Sequence, residues 1–491
     1  MNTLNLAAAD LGAESGRVMW AEFDGRRIDL QEAHRFANVP LRVAGSLRWD
    51  ARRLFGEIKH GLAACARMGT LDGLGLDTWG VDFGLLDRAG ALLDEPYHYR
   101  DGRTDGMMAR AFERVPREEI FERTGIQFVQ FNTLYQLLAL AEAQPALLAR
   151  AQVLLTMPDL FNYWLSGQSA AEFTIATTTQ MYDQRAGDWA RDLLERLALP
   201  THLLPPVVPP GTVLGPLRPD VASEIGAGSV PVTAAACHDT AAAVVAVPAQ
   251  GGPYAYISSG TWSLVGIEVD RPVITPQSLA GNFTNEGGVG GTVRLLRNVM
   301  GLWLLQECRR VWAAQGEALT YDALSQMAAT APPFAALVDP DAAEFLPPGD
   351  MPARLRAFCA RSGQPPPETP AALARCIFES LALKYRWTIE RLEALAGQRL
   401  GVIHVVGGGA LNQRLCQWTA DATGRAVIAG PVEATALGNA LVQAMALGHV
   451  GSLAEARAIV RASVTLETYE PGETGPWDQA YERFVGLLGT Y

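Results

Sequence analysis

Four short stretches of this chain carry side chains that could do chemistry. Asp10-Leu-Gly-Ala-Glu-Ser-Gly-Arg17, Ser258-Ser-Gly-Thr-Trp-Ser263 and Val405-Val-Gly-Gly-Gly-Ala-Leu-Asn412 each follow an apolar run that reads as a buried strand (Leu4 to Ala9, Tyr254 to Ile257, Val402 to Val406). A turn of glycines and hydroxyls at a strand end presents backbone N–H groups with no side chain in the way, which is how proteins cradle phosphate. Such loops in both halves of the chain predict one nucleotide held by two domains. The fourth stretch, Cys237-His-Asp-Thr240, joins an apolar strand to an alanine-rich helix. An Asp at that corner either caps the helix or stays ionised there and accepts a hydroxyl proton. The local pattern admits both readings.

Other residues are open in the same way. Asp10 ends the first strand, where ligands gather in open α/β sheets; it either holds Mg²⁺, directly or through water, or starts a turn. Arg17 either neutralises phosphate or lies on the strand surface. Asp77-Thr-Trp-Gly-Val-Asp-Phe83 is a sugar platform, or a strand kinked around a core Trp. Arg294 to Gln306 reads as a helix entry, in which Asn298 bonds substrate or ribose and Gln306 the nucleotide, unless both are cap or surface amides. His34, His60, His98, His202, His404 and His449 show no metal-ligand spacing and read as structural. The cysteines at 65, 237, 308, 359, 376 and 416 include no CxxC pair, so reduced thiols are expected. Whether Cys359 and Cys376 pair is left open.

Composition removes several classes. A chain of 491 residues is too long for one core; we place two domains at 1–248 and 249–491, joined at Gln250-Gly-Gly-Pro253. Apolar and charged fractions of 49% and 19% describe a globular protein. No apolar run approaches the roughly 18 residues of a membrane span, and the first residues do not read as a leader. A cytoplasmic protein with no membrane partner is expected, as a monomer or small homo-oligomer. The net charge of −12 argues against nucleic-acid binding. The only lysines are Lys59 and Lys384, and neither follows a glycine loop, which excludes P-loop enzymes and protein kinases. Phosphate chemistry would rest on amides, hydroxyls, Arg and Mg²⁺.

The elements that must position these residues alternate. Strands are predicted over 4–9, 17–23, 28–36, 73–78, 81–86 and 230–236. Helices are predicted over 53–68 and 240–247, and near 105–114, 117–124, 134–141, 145–150 and 158–166. After residue 253 the strand–loop theme restarts, as a repeat of the first domain would. Residues 335–370, with three consecutive prolines at 365–367, read as a surface excursion; helices follow over 371–396 and 434–447. The class is α/β.

With these motifs in place, the chain resembles the FGGY family of sugar kinases. The likeness runs from Asn5 to about Tyr469 and rests on Asp10–Met19, Gly75–Phe83, Tyr99–Thr104, Thr124–Gln136, Met157–Asp159, Ala176–Gln180, His238–Ala243, Ser258–Leu264, Asn285–Gly288, Asn298–Gln306 and Gly430–Asn439. It implies an actin-like (ribonuclease H-like), duplicated two-domain α/β fold with ATP in the interdomain cleft. It implies transfer of the γ-phosphoryl group of MgATP to the C1 hydroxyl of L-rhamnulose. The alternatives are another ketose, L-fuculose or xylulose, and a regulator that kept the fold but lost transfer. Residue by residue, Asp239 matches the general base. Ala13, Glu14, Ser15, Gly16 and Arg17 match the first phosphate loop and Thr261 the second, with Gln306 and Gly408 on the ATP. Gly80, His238, Thr240 and Asn298 match sugar-contacting positions. Glu14 departs from the small hydroxyl residue expected there. A carboxylate against phosphate repels by on the order of 1 kcal/mol in a wet site, so only its backbone N–H should face the nucleotide.

Overall fold

The computed structural model describes residues 3–489. The chain begins with an antiparallel meander, β1 (Leu4–Leu11), β2 (Ser15–Phe23) and β3 (Ile28–Ala37). Helix α1 (Ala51–Met68) follows, opened by Asp50, whose side chain accepts from the backbone N–H of Arg53 at 2.9 Å. Its Leu54, Ile58, Leu62 and Cys65 recur at helical spacing and are buried. A side chain at Gly61 would run into Val18 of β2, so the glycine sets how closely helix and sheet pack. Then come β4 (Gly73–Thr78), β5 (Thr212–Pro216), β6 (Pro231–Ala234) and helix α2 (Asp239–Val245). The six strands run β5-β6-β4-β1-β2-β3, with β1–β4 and β4–β6 parallel. Strand β1 is almost wholly buried, as a central strand covered on both faces must be.

The second half repeats this order. It contains β7 (Tyr254–Ser259), β8 (Trp262–Val269), β9 (Val293–Met300), α3 (Trp303–Ala314), α4 (Pro370–Ala396), β10 (Val402–Val406), α5 (Gln413–Thr423), β11 (Ala426–Ala429), α6 (Ala434–Ala446) and β12 (Glu467–Tyr469). These strands run β9-β8-β7-β10-β11-β12; β7 pairs antiparallel with β8 and parallel with β10. Three strands in a meander, then a parallel strand beside the first, is the order in both halves.

By internal contacts the chain forms two units. One comprises the chain up to Ala246 with Glu268–Leu295 and Ala434–Ser463; the other comprises Val247–Ile267, Leu296–Glu433 and the chain from Val464. Where the sequence reading drew one boundary between 248 and 249, two later segments therefore group with the first unit. The reason is visible at α6. Gln443 Nε2 donates to Ala7 O at 3.0 Å and Asn439 Nδ2 to Asp77 Oδ2 at 2.6 Å. A Cβ on Gly438 would lie 1.8 Å from Ala242 O, so α6 meets α2 backbone to backbone.

Two local expectations are corrected. Residues 293–300 are strand, and the helix starts only at Trp303. Val293 and Val299 favour strand, and at Gly301 a Cβ would lie 2.8 Å from the Ser263 nitrogen, which fixes the bend there. Residues 335–370 are no surface excursion. Ala336, Leu337 and Val338 are buried, and helix Met351–Arg361 buries Leu355 and Cys359. The segment supplies the anions for two buried cations: Lys384 Nζ lies 2.8 Å from Asp339 Oδ1 and 3.1 Å from Asp341 Oδ2, and Arg297 Nη2 3.3 Å from Asp341 Oδ2. Buried charges need such partners. All six cysteines are free and buried. Among the described residues no helix is long and apolar enough to cross a membrane.

Candidate active site

In the first unit, strand ends gather carboxylates. Asp10 and Asp77 are register partners on the parallel pair β1–β4, and Thr78 bridges His238 just before α2. Asp10, nearly buried, carries Arg17 through Nε at 3.0 Å and Nη2 at 2.8 Å, both on Oδ2. Asp77 is fully buried; burial first, then the charge of Asp10, pushes its carboxyl well above the usual range. Asp239 opens α2 with its side chain 28% exposed. Its carboxyl is raised by burial and by Asp10, against an opposing pull from His238. Asp239 Oδ1 accepts from Thr240 N at 2.5 Å and Thr240 Oγ1 at 3.1 Å. Both bonds come from the next residue and fall on one oxygen; His238 is the N-cap and no side chain caps α2, so the capping reading of Asp239 does not hold.

His238 is held from several sides. Its backbone N–H donates to Thr174 Oγ1 at 3.1 Å, and that hydroxyl donates to the buried Glu172 at 2.5 Å. Ring Nε2 lies 3.4 Å from Asp239 Oδ1, and Nδ1 lies 3.1 Å from Arg294 Nη2 and 3.3 Å from Glu286 Oε2. A Cβ built on Gly80 would stand 3.3 Å from Thr178 Oγ1 and 3.5 Å from His238 Nε2. Gly80, Thr178, His238 and Asp239 are thus brought together. No role was read for Thr178, Glu286 or Arg294 individually, although Ala176–Gln180 and Asn285–Gly288 are among the stretches that carry the family resemblance.

The sugar-platform reading of Trp79 and Asp82 is overturned. Trp79 is buried with its ring 4.2 Å from that of Trp49. Asp82 accepts from Trp49 Nε1 at 2.6 Å, Trp79 Nε1 at 3.0 Å, Tyr99 N at 3.2 Å and Gln136 Nε2 at 2.8 Å. It is wholly used as a core anchor, and burial moves its carboxyl up to about 6.

At the tip of hairpin β1–β2, Gly12 N donates to Ser15 O at 2.9 Å, and Asn38 ties down the Gly12 and Glu14 carbonyls at 2.9 Å each. Gly16 faces the Phe36 ring, which a Cβ would strike. Ala13, Glu14 and Ser15 form the tip, with the Glu14 and Ser15 side chains exposed. The Glu14 charge is therefore solvated, and Arg17 sits within β2 on Asp10.

The second unit repeats the device. At the β7–β8 tip Gly260 N donates to Trp262 O at 2.8 Å, and the start of α3 fastens it through Trp303 N to Thr261 O at 3.0 Å. One turn into α3, Gln306 Oε1 is buried with no hydrogen-bond partner; Asn298 lies half-buried on β9. Strand β10 runs into Gly407 (φ 83°), Gly408 and Gly409. A Cβ on Gly409 would lie 2.0 Å from Ser259 Oγ, so this loop presses on the end of β7. Gly408 is the opposite case, exposed with nothing within 4 Å of a built Cβ. An orphaned amide oxygen and an open glycine backbone in this unit fit a nucleotide. Among the described residues no group of three or more His, Cys, Asp or Glu side chains could hold a metal ion. A Mg²⁺ that arrives on nucleotide phosphates needs only one or two carboxylates, which Asp10 and its neighbours offer.

Comparison with known proteins agrees with this architecture. Models of the FGGY family of carbohydrate kinases match residues 6–246 (N-terminal domain) and 255–447 (C-terminal domain). The chain is 44% identical over 485 residues to the rhamnulokinase of Bacteroides thetaiotaomicron, covering 99% of each. It is 41% identical over 470 residues to that of Oceanobacillus iheyensis, covering 96% of this chain and 98% of the other. Among solved structures, gluconate kinase from Lactobacillus acidophilus superposes with a TM-score of 0.82 at 16% identity (99% and 98% covered). Plasmodium falciparum glycerol kinase with ADP does so at 0.78 and 14% identity (99% of both). The fold is the duplicated, actin-like α/β fold.

Proposed function

Because the chain belongs to the FGGY family of carbohydrate kinases, we propose that it transfers the γ-phosphoryl group of ATP to the C1 hydroxyl of L-rhamnulose. The observation that carries the reaction type is Asp239: a carboxylate whose bonds from Thr240 fall on one oxygen, raised in pKa by burial, and flanked by His238 and Gly80. The identity to rhamnulokinases over nearly the whole chain favours this acceptor over other ketoses.

Asp239 accepts the acceptor hydroxyl's proton as that oxygen attacks phosphorus. His238, Thr240 and Gly80 bind and orient the sugar, with Asn298 as a further contact. The hairpin tip Ala13–Gly16 with Arg17, and in the other unit Thr261, Gln306 and Gly408, bind the nucleotide. Their amides and hydroxyls meet charge that develops on the phosphoryl oxygens. Asp10 would hold Mg²⁺, directly or through water, and the metal when bound neutralises phosphate charge.

The test is ADP release from the full chain with MgATP across a panel of L-rhamnulose, L-fuculose and xylulose. L-Rhamnulose should give the highest kcat/KM. A preference for another ketose overturns the substrate, and no acceleration by any ketose overturns the kinase reading in favour of a regulator.

A further inference from the structure

His238 sits beside the base with both ring nitrogens engaged. On one side lies Arg294, fully buried, with Nη2 3.1 Å from His238 Nδ1 and 3.2 Å from Glu286 Oε2. Arg294 is itself anchored, Nε donating to Gly287 O at 2.8 Å. Glu286 is buried and supplies the counter-charge that a buried guanidinium requires. A guanidinium can only donate, so the Arg294 contact makes Nδ1 an acceptor and puts the ring proton on Nε2. The opposite tautomer would point Nδ1–H at Glu286 Oε2, 3.3 Å away, and set it against the Arg294 N–H at the shorter distance.

The other ring nitrogen faces the chemistry. Nε2 is 3.4 Å from Asp239 Oδ1, too long for a strong hydrogen bond, and 3.5 Å from where a Cβ on Gly80 would stand. A proton there has room for a better acceptor than Asp239, and a sugar oxygen is the chemistry that fits.

We propose that Arg294 and Glu286 are positioning residues that fix His238 as the Nε2–H tautomer, so that it donates to an oxygen of the acceptor sugar beside Asp239. This rests on the reading of the site as one for a ketose acceptor. Neither residue need touch substrate: Arg294 acts through the ring, and Glu286 acts by neutralising Arg294.

Long-range ¹H–¹⁵N spectra of the full chain labelled at histidine test it, with His238 assigned by its loss in His238→Asn. An unprotonated Nδ1 and a protonated Nε2 are expected; the reverse assignment overturns the proposal without any variant. Arg294→Met keeps the side chain's bulk and removes its donors. His238 should then shift its proton to Nδ1, facing Glu286, and KM for the ketose should rise about tenfold, the size of one lost hydrogen bond, with KM for ATP unchanged. Unchanged KM for both substrates in a folded variant overturns it. The two readings fail separately. A wild type that phosphorylates no ketose ends the functional reading, whereas one that does so with Nδ1–H ends this inference alone.

Discussion

Arg17 grips a single oxygen of Asp10, through Nε at 3.0 Å and Nη2 at 2.8 Å. The arginine is 21% exposed and the carboxylate 7%, so the pair is screened less than a surface salt bridge. Asp10 is also the register partner of Asp77, so Arg17 brings a cation to an acidic strand end.

Replacing Arg17 by Met should leave Asp10 uncompensated. A loss of about 1–3 kcal/mol in stability is expected, between the values for surface and buried pairs. On the proposed phosphate role, kcat/KM for ATP should fall as well, roughly 10- to 100-fold. Urea denaturation and initial rates at limiting ATP measure the two effects; an unchanged nucleotide term would confine Arg17 to holding Asp10.

Asp239→Asn should fold normally and lose kcat by roughly 10²–10⁴-fold. In the wild type the base works only when ionised, and its carboxyl is raised by burial. The rate should therefore fall as pH drops, with the acid limb lying above the ordinary carboxylate range near 4. Near-normal turnover in the Asn variant sinks the assignment of Asp239.

Gly80→Ala probes the sugar side alone. The new methyl would meet Thr178 Oγ1 at 3.3 Å and His238 Nε2 at 3.5 Å, close enough to occupy the space without forcing the backbone. Thermal stability should stay within about 1 kcal/mol of wild type. KM for the ketose should rise at least about tenfold, a typical effect of a misfitted group, while KM for ATP holds. A variant with wild-type ketose kinetics would place the sugar elsewhere.

Buried carboxyls predict a proton balance. Asp82 is moved to about 6, and Glu172 and Glu379 to about 7, each chiefly by burial. At about pH 6 the folded chain holds protons on these groups that the unfolded chain, titrating near 4, gives up. Because the native state binds more protons, their contribution makes stability fall as pH rises from about 4 to 7. His98, lowered by burial to about 3, opposes this by taking up a proton on unfolding. The three carboxyls outweigh one imidazole, so unfolding near pH 6 should release protons. Calorimetry in two buffers of different ionisation enthalpy reads the sign, and net uptake would contradict it.

The strand–glycine loops and the His238–Thr240 corner were legible because each is local: an apolar run, a turn and a helix start follow one another within about ten residues. The restart of the strand–loop theme in the second half was legible as a repetition of that pattern, whereas the strand order came only with the structure. Trp79 was ambiguous, since an indole beside glycine looks alike whether it faces a ligand or, as here, donates to Asp82. Glu286 lay in a stretch that carries the family resemblance, but the roles of Glu286 and Arg294 were out of reach. They meet His238 from about 50 residues away, and the Arg294 strand was taken for a helix because its apolar run lacks clean alternation. The anionic role of Asp339 and Asp341 was hidden for the same reason: their partners Arg297 and Lys384 are distant in sequence.

The return of α6 to the first unit has a consequence for biosynthesis. Asn439 and Gln443 donate to one oxygen of Asp77 and to the Ala7 carbonyl, yet they leave the ribosome about 200 residues after the last strand of that sheet. At usual elongation rates this is roughly 10–40 s, during which the Asp77 carboxyl lacks its amide and the groove awaiting Gly438 stays uncovered. The nascent first unit therefore lacks these contacts until translation has passed α6.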